Sequence, residues 1–421
     1  MATRNTKAVT GKQRTPKERP KLARGKVFQW RDHDYEIVNL LGSGGFGDVY
    51  TVKRDDDPTP LAMKTEIQGG KNGMSRLRTE VKILDLCGAI EDASKKAHFV
   101  ELIDRGRFDC FNFMVMTKVG LSLHELRKEH DGKFMPSTIF KIAMQTLTAA
   151  RNLHELGYIH RDIKPHNFAV GLHPFHTTVY MLDFGIAYRI FDVNGELRPP
   201  RPNVRFFGTV RYASRACHKH REQGRQDDLE TWCYMIYELF NDDFLGWRRE
   251  KDKQLILSLK EAFIQRPPSR GVLKGLVCIV EYINELSYDD DPGYDYILWR
   301  LGKAAAKCDL STPFEWENIS ISNPRDHDPP RELLSDERLH GFETGGGTTN
   351  QPTFSLPKPL AKKKNTKATA INAKKVLVPR KPSPATITRT VTTDRKVPRK
   401  KSTRTTEETG TGTGRRLPGR K

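Results

Sequence analysis

The sequence has few of the features that would place the chain outside the cell or in a membrane. Only six of its 421 residues are cysteine, and no two of them form a Cys-x-x-Cys pair. A disulfide framework or a paired-cysteine zinc site is therefore not expected. No apolar stretch approaches the roughly 20 residues of a membrane helix, and none precedes the first predicted strand. We expect an intracellular protein, located in the cytoplasm or else in the nucleus, that does not associate with membranes.

Acidic residues are scarce at both ends of the chain. Residues 1–27 carry nine Lys and Arg against one acid, and residues 351–421 carry twenty against three. The part between them therefore has a charge near −5, although the whole chain carries +20. Both end segments, called the tails below, are poor in large apolar residues and are expected to be disordered. Residues 319–350 are expected to form a linker.

A short polar run, HRDIKPHN at residues 160–167, concentrates a carboxylate, a cation and an amide. Phosphoryl transfer needs positioning and charge neutralisation more than covalent chemistry, and this run supplies both. We predict that Asp162 accepts the proton of a substrate hydroxyl, that Lys164 steadies the phosphoryl group, and that Asn167 binds Mg²⁺. A His-Arg-Asp triplet alone would more often be a polar turn.

The segments on both sides of this run support a catalytic role. Apolar residues at helical spacing predict a buried helix that begins at Pro136 and is closed by Gly157. A buried strand is predicted over residues 178–182, and it leads directly into Asp183-Phe184-Gly185. That sequence could be an ordinary turn, but its place shortly after Asn167 favours Asp183 as the second Mg²⁺ ligand.

A glycine-rich segment, residues 41–49, fits the pattern G-x-G-x-x-G-x-V and has strand-like flanks. Glycines let backbone amides approach phosphates, where a side chain would prevent this. A dinucleotide-binding turn carries similar glycines but leads into a helix, whereas a strand is predicted here. The residues predicted to contact ATP in this segment are Leu41, Gly42, Ser43, Gly44, Gly45, Phe46, Gly47 and Val49.

The next predicted strand carries Leu61-Ala62-Met63-Lys64, which is similar to the motif V-A-I-K. This resemblance implies that Ala62 packs on adenine and that Lys64 binds the α and β phosphates. Glu80 lies in the apolar stripe of a predicted helix that follows. A carboxylate there is costly unless it is paired, so we predict an ion pair with Lys64. Alternatively, Glu80 lies at the edge of the stripe and is solvated.

Together these motifs resemble those of protein kinases, and the lysine after Asp162 suits Ser/Thr specificity. Beyond Asp183, the segment GTVRYAS at residues 208–214 stands where most protein kinases have Ala-Pro-Glu, and it resembles the casein kinase 1 superfamily. Within that superfamily, several segments are most similar to the tau-tubulin kinase branch, namely 197–201, 221–225, 227–229, 245–247, 251–253 and 313–317. The resemblance covers about residues 30–318 and neither tail.

The resemblance implies a two-lobed α+β kinase fold over residues 28–318. Residues 28–117 would form a small β-rich N-lobe and residues 121–318 a mainly helical C-lobe, with ATP and Mg²⁺ in the cleft between them. It implies that Met116 is the gatekeeper beside adenine, and that the backbones of Thr117 and Val119 contact the base. Asp228 resembles a buried carboxylate that supports the catalytic loop.

Arg211 matches an arginine that helps to hold an anion in casein kinase 1 relatives. Further basic residues lie near it in the sequence, namely Arg205, Arg215, Lys219, Arg221 and Arg225. A guanidinium suits a phosphate or carboxylate, so we predict a preference for acidic or already phosphorylated substrates. The competing interpretation is that Arg211 only anchors its own segment or faces solvent.

The resemblance suggests protein substrates such as tubulin or microtubule-associated proteins. We expect the protein to be a monomer. The tails, with basic runs at residues 362–364 and 399–401, are expected to bind microtubules or nucleic acid through their charge. Alternatively, these runs are solvated and serve solubility or nuclear import.

Two other functions remain open. One is a kinase-shaped scaffold that acts through its tails, although the five residues that catalysis requires are all present: Lys64, Glu80, Asp162, Asn167 and Asp183. The other is a nuclear chromatin-associated kinase like the vaccinia-related branch, in which tyrosine typically replaces Phe184.

Overall fold

A computed structural model describes residues 19–45, 47–69 and 75–317. The tail residues 1–18, the linker and the C-terminal tail therefore lie outside the described residues, as does Phe46 among the predicted ATP contacts. Within the described part, no helix is both long enough and apolar enough to cross a membrane.

The N-terminal lobe is built on one antiparallel sheet of six strands, in the spatial order β1-β2-β3-β4-β6-β5. The strands are β1 (Val27–Trp30), β2 (His33–Gly44), β3 (Gly47–Arg54), β4 (Asp57–Ile67), β5 (Leu102–Phe108) and β6 (Phe111–Thr117). Alternating residues bury one face of the sheet, as the two-residue period of a strand requires. The buried residues on this face include Tyr35, Ile37, Tyr50, Val52, Met63, Phe113 and Val115.

The packed lobe begins earlier than the boundary predicted at residue 28. The side chain of Leu22 is only 7% exposed and joins the apolar core of the sheet. Its backbone N–H donates to the hydroxyl of Tyr50 at 3.1 Å, and the N–H of Gly25 donates to the carbonyl of Ile37 at 2.7 Å. The assignment of residues 19–27 to a disordered tail is wrong, because Leu22 and the backbone of this segment are bound to the sheet.

Two helices follow β4, α1 (Arg76–Gly88) and α2 (Ala93–Lys96). The hydroxyl of Ser75 accepts the N–H of Arg78 at 3.1 Å and caps the start of α1. Leu77, Ile83 and Leu84 are buried on the inner face of α1, together with Glu80. This helix therefore brings the predicted carboxylate to the interior of the lobe.

The C-terminal lobe is mainly helical, and its two longest helices, Pro136–Glu155 and Arg225–Phe240, pack against each other. Its helices are α3 (Leu123–Glu129), α4 (Pro136–Glu155), α5 (Arg215–His218), α6 (Arg225–Phe240), α7 (Lys253–Gln265), α8 (Val277–Glu285) and α9 (Tyr294–Ala304). Short strands form two antiparallel pairs, β7 (Tyr158–Ile159) with β10 (Tyr188–Arg189) and β8 (Phe168–Val170) with β9 (Val179–Met181).

The helix predicted to begin at Pro136 is α4. It ends as predicted, because Gly157 adopts a positive φ of 82° just after Leu156. The strand predicted over residues 178–182 is β9, one residue shorter at each end. The two-lobed α+β kinase fold is confirmed.

Candidate active site

A cleft of about 670 Å³ lies between the lobes and contains most of the predicted nucleotide contacts. Its lining includes Leu41, Gly42, Ser43, Gly44, Gly47, Val49, Ala62, Lys64, Glu80, Met116, Thr117, Val119, Asn167 and Asp183. Gly45 forms the turn of the glycine-rich hairpin and is not part of this lining. Leu84, Val100 and Met114 also line the cleft. A mainly apolar cavity with a few polar groups suits a nucleotide base with its phosphates.

The glycine-rich segment is the hairpin between β2 and β3, with Gly44 opposite Gly47. Gly47 is required at its position, because a Cβ there would lie 1.9 Å from the carbonyl oxygen of Thr65 on β4. The glycine thus allows β3 and β4 to approach closely at the base of the loop.

The segment that connects the lobes restricts how the base can be bound. The N–H of Thr117 donates to the carbonyl of Glu101 at 3.0 Å. It is therefore not free to contact a base, which leaves the carbonyl of Thr117 and the backbone of Val119 as the groups that could do so.

Lys64 forms the predicted ion pair. Its Nζ donates to Oε1 of Glu80 at 2.5 Å and to Oδ1 of Asp183 at 3.0 Å. Burial alone would lower the pKa of Lys64, but these two carboxylates outweigh it and raise that pKa. Burial raises the pKa of Glu80, whose side chain is almost fully enclosed, although the Lys64 ammonium opposes this shift. Lys64 thus stays charged between two carboxylates, that of the buried Glu80 and that of the more exposed Asp183.

Asp183 is held towards the cleft by its neighbour. Phe184 is buried, with its ring 6.0 Å from that of Phe99 and 5.5 Å from that of His160. Burial alone would raise the pKa of Asp183, but the Lys64 ammonium lowers it, so the carboxylate is ionised near neutral pH. Asp183 and Asn167 both line the cleft and both offer oxygen ligands, which is the donor set that Mg²⁺ prefers.

The catalytic loop brings the three predicted residues into one hydrogen-bonded group. Nζ of Lys164 donates to Oδ2 of Asp162 at 2.6 Å, and Nδ2 of Asn167 donates to the carbonyl of Asp162 at 2.8 Å. Thr209 joins them, because its hydroxyl donates to Oδ1 of Asp162 at 2.9 Å and accepts from Lys164 at 3.0 Å. Sequence reasoning used Thr209 only as part of a family motif and missed this contact.

A buried carboxylate supports the loop from below, as expected. Asp228 accepts the backbone N–H groups of His160 at 2.6 Å and Arg161 at 2.9 Å, and a ring N–H of His154 at 2.9 Å. Arg161 has a positive φ of 66°, a conformation that these contacts stabilise. Its guanidinium packs 4.3 Å from the ring centre of Phe207, and its burial lowers the pKa of Arg161 to about 10.

The structure places Arg211 against an acid. Its Nη1 donates to Oε1 of buried Glu238 at 3.2 Å, and Glu238 also accepts the hydroxyl of Tyr212. Arg211 is still one-third exposed. Three of its predicted basic companions are paired as well, in Arg215–Glu230, Lys219–Glu261 and Arg225–Asp291, whereas Arg205 and Arg221 are exposed. Most of the expected local positive charge is therefore compensated, and the anion-binding role of Arg211 stays a prediction.

Lys260 on α7 is a further site residue that the sequence analysis missed. Its side chain is fully buried, and its Nζ donates to the carbonyls of Val210 at 2.9 Å and Ala213 at 2.5 Å. Nε2 of His218 lies 3.2 Å away, and burial lowers the pKa of Lys260 to about 7. These contacts fix the segment that carries Thr209. Lys260 lies on the same helix face as the apolar residues Ile256 and Phe263, four and three residues away. This spacing could have predicted that Lys260 is buried.

Comparison with known proteins identifies the family of the chain. The family model described as "Protein kinase domain" matches residues 35–271. A probable serine/threonine-protein kinase of Dictyostelium discoideum is 34% identical over 301 residues, which cover 70% of this chain and 58% of that protein. A putative serine/threonine-protein kinase of Caenorhabditis elegans is 34% identical over 268 residues, which cover 63% of this chain and 80% of that protein.

A further relative is named as a putative casein kinase I from Caenorhabditis elegans. It is 29% identical over 309 residues, which cover 70% of this chain and 86% of that protein. This chain spans less than two thirds of the length of the Dictyostelium relative.

Replacing Lys260 with methionine should mainly impair use of the protein substrate. Methionine fills similar space but removes the ammonium that donates to the carbonyls of Val210 and Ala213. A buried carbonyl left without a donor costs about 1–3 kcal/mol. We expect a lower melting temperature, a lower kcat/KM for a peptide substrate, and an almost unchanged KM for ATP. Lys307→Met, at an exposed lysine, is the control. A rise in the KM for ATP as large as the loss on the peptide would contradict this role.

Activity should fall on the acid side of neutrality because protonation of Glu80 breaks its ion pair with Lys64. Burial raises the pKa of Glu80. As the pH falls, Glu80 is therefore protonated at a higher pH than an ordinary glutamate. The pH profile of kcat/KM for ATP should show this limb. Glu80→Gln should give a lower plateau, with an acid limb shifted to lower pH. An acid limb at the same pH in both proteins would show that another group is responsible.

Proposed function

This chain belongs to the protein kinase family and is a serine/threonine protein kinase, and we propose that it transfers the γ-phosphoryl group of ATP to protein hydroxyls in a Mg²⁺-dependent reaction. The observation that carries the proposal is the double contact of Lys64 with Glu80 and Asp183 beside an assembled catalytic loop. In many kinases, activity depends on whether this lysine–glutamate pair is formed.

Each part of the cleft has a role in the proposed reaction. The glycine-rich hairpin covers the phosphates, and Lys64 binds them while Glu80 keeps its ammonium in place. Asn167 and Asp183 would hold Mg²⁺, which neutralises phosphate charge when bound. The apolar walls formed by Ala62, Met116 and their neighbours would enclose the adenine.

Asp162 acts on the protein substrate. The hydroxyl oxygen of a serine or threonine attacks the γ-phosphorus as the bond to the ADP oxygen breaks, and the hydroxyl proton passes to the Asp162 carboxylate. Thr209 and Lys164 hold this carboxylate through both of its oxygens, so its orientation is set before substrate binds. Lys164 also offers positive charge to the phosphoryl group during transfer.

Removing the proposed base tests this assignment. Asp162→Asn keeps the shape of the side chain but cannot accept the proton, so turnover should fall roughly 10²- to 10⁴-fold. Stabilisation against heat by Mg²⁺ and a non-hydrolysable ATP analogue should remain close to that of the wild type. Asp56→Asn, at an exposed aspartate, is the matched control. Turnover that survives in Asp162→Asn would exclude Asp162 as the base.

For the substrate, we propose a preference for acidic or phosphorylated residues near the acceptor. Arg211 and Arg248 lie 3.2 and 3.6 Å from the same carboxylate of Glu238. Arg248 and Arg127 in turn share Asp242, at 2.6 and 2.5 Å. Three guanidinium groups therefore face two carboxylates, which leaves a net positive charge on a partly exposed surface.

The test compares wild type and Arg211→Ala on two matched peptides, one primed with phosphoserine near the acceptor and one neutral. An anion site predicts a loss of kcat/KM on the primed peptide alone, of about 1.5–3 kcal/mol for a charged hydrogen bond and towards the lower value for an exposed one. Arg249→Ala, at the exposed neighbour of Arg248, controls for general charge effects. Equal losses on both peptides would show that Arg211 anchors its segment instead.

The remaining partner assignments rest on resemblance and composition. Tubulin or microtubule-associated proteins as substrates, binding of microtubules or nucleic acid by the tails, a monomeric state and the cytoplasm or nucleus as location are proposals of this kind. Most residues of the tails lie outside the described part of the chain.

A further inference from the structure

The glycine-rich hairpin contains a completely buried acid, Asp48, between Gly47 and Val49. Its Oδ1 accepts the hydroxyl of Ser43 at 2.6 Å, and its Oδ2 accepts the hydroxyl of Tyr50 at 3.4 Å. A carboxylate without contact to water is costly unless a positive charge lies near it. Two hydroxyl groups do not supply that charge, so the source of compensation has to be found elsewhere.

Arg19 provides the charge. Its Nη2 lies 3.4 Å from Oδ1 of Asp48 and donates to the carbonyl of Gly44 at 2.5 Å. This is a contact of Asp48 with a full positive charge at the base of the hairpin. One guanidinium therefore joins the end of β2, through Gly44, to the start of β3, through Asp48.

The position of Arg19 is fixed by the segment that follows it. Leu22 is buried in the core of the sheet, and its N–H donates to the hydroxyl of Tyr50. That same hydroxyl donates to Asp48. The leucine and the arginine thus attach to one network from two sides, and this network spans the base of the hairpin.

The base of the hairpin matters because it belongs to the cleft. Ser43, Gly44 and Gly47 line the cleft, and Gly44 lies opposite Gly47 in the register of the two strands. Holding these residues fixes where the backbone amides of the loop can meet phosphates. A binding group that is ordered before the ligand arrives loses less entropy on binding.

We propose that Arg19 is a positioning residue for the glycine-rich loop, and that Arg19 together with Leu22 supports the nucleotide-binding site from outside the cleft. This inference rests on the proposed use of ATP. Arg19 reaches the cleft only through Asp48 and Gly44, and its loss should therefore weaken nucleotide binding without removing a reacting group.

The test replaces Arg19 with alanine and, as a matched control, Lys21 with alanine. Lys21 belongs to the same segment, is exposed, and forms no side-chain hydrogen bond or ion pair within the described residues. Arg19→Ala should raise the KM for ATP roughly three- to tenfold, as expected for one partly exposed charged hydrogen bond, with kcat nearly unchanged. Lys21→Ala should behave like the wild type. Arg19→Lys keeps the positive charge but not the planar guanidinium group. Its KM for ATP should lie between those of the wild type and Arg19→Ala.

A second measurement separates this inference from the proposed function. Titration with a fluorescent ATP analogue should show the dissociation constant of Arg19→Ala rising by the same factor as its KM. In an Asp48→Asn background, Arg19→Ala should have a much smaller effect, because the pair is already broken.

Several results would overturn the inference. These are unchanged nucleotide affinity in Arg19→Ala, an equal effect in Lys21→Ala, and full additivity with Asp48→Asn. A wild-type protein that binds the analogue but transfers no phosphate would refute the proposed function alone. A wild-type protein that does not bind the analogue would refute both.

Discussion

The arrangement of this molecule depends on one buried ion pair, between Lys64 on β4 and Glu80 on α1. Each charge alone would be costly in this interior, and together they tie the sheet to the helix that packs on it. The same ammonium also donates to Asp183, which follows β9 in the C-terminal lobe. A single lysine thus sets the distance between the sheet, the helix and the proposed metal ligand, and the cleft takes its shape from these three.

The catalytic loop is held on the other side of the cleft by contacts that need no added phosphate. Asp228 fixes its backbone from below, and Thr209 fixes the Asp162 carboxylate from the facing segment. Lys260 in turn holds that segment by its carbonyls. Arg161 packs on Phe207 and donates to the carbonyl of Ile186, so its side chain is held by groups within the fold. Together these contacts hold the catalytic loop and the segment that carries Thr209 in one arrangement.

Sequence reasoning succeeded where a residue type can serve only one chemistry at its position. The Lys64–Glu80 pair followed from a carboxylate in an apolar stripe, and the limits of α4 followed from its proline and glycine. The contacts of Thr209, Lys260 and Arg19 were not predictable in this way, because these residues meet partners from distant segments only after folding. The charge around Arg211 was overestimated for the same reason: the acids that balance it lie far away in sequence, on α6 and beyond.

The most direct test of this account is phosphoryl transfer by the purified, phosphatase-treated full-length chain. The protein would be incubated with γ-labelled ATP and casein, with Mg²⁺ or with excess chelator, and the labelled residues identified. We expect label on serine and threonine that depends on Mg²⁺ and that appears without a lag. Absence of transfer in the presence of Mg²⁺, or transfer that begins only after the chain has phosphorylated itself, would contradict a site completed by its own buried ion pairs.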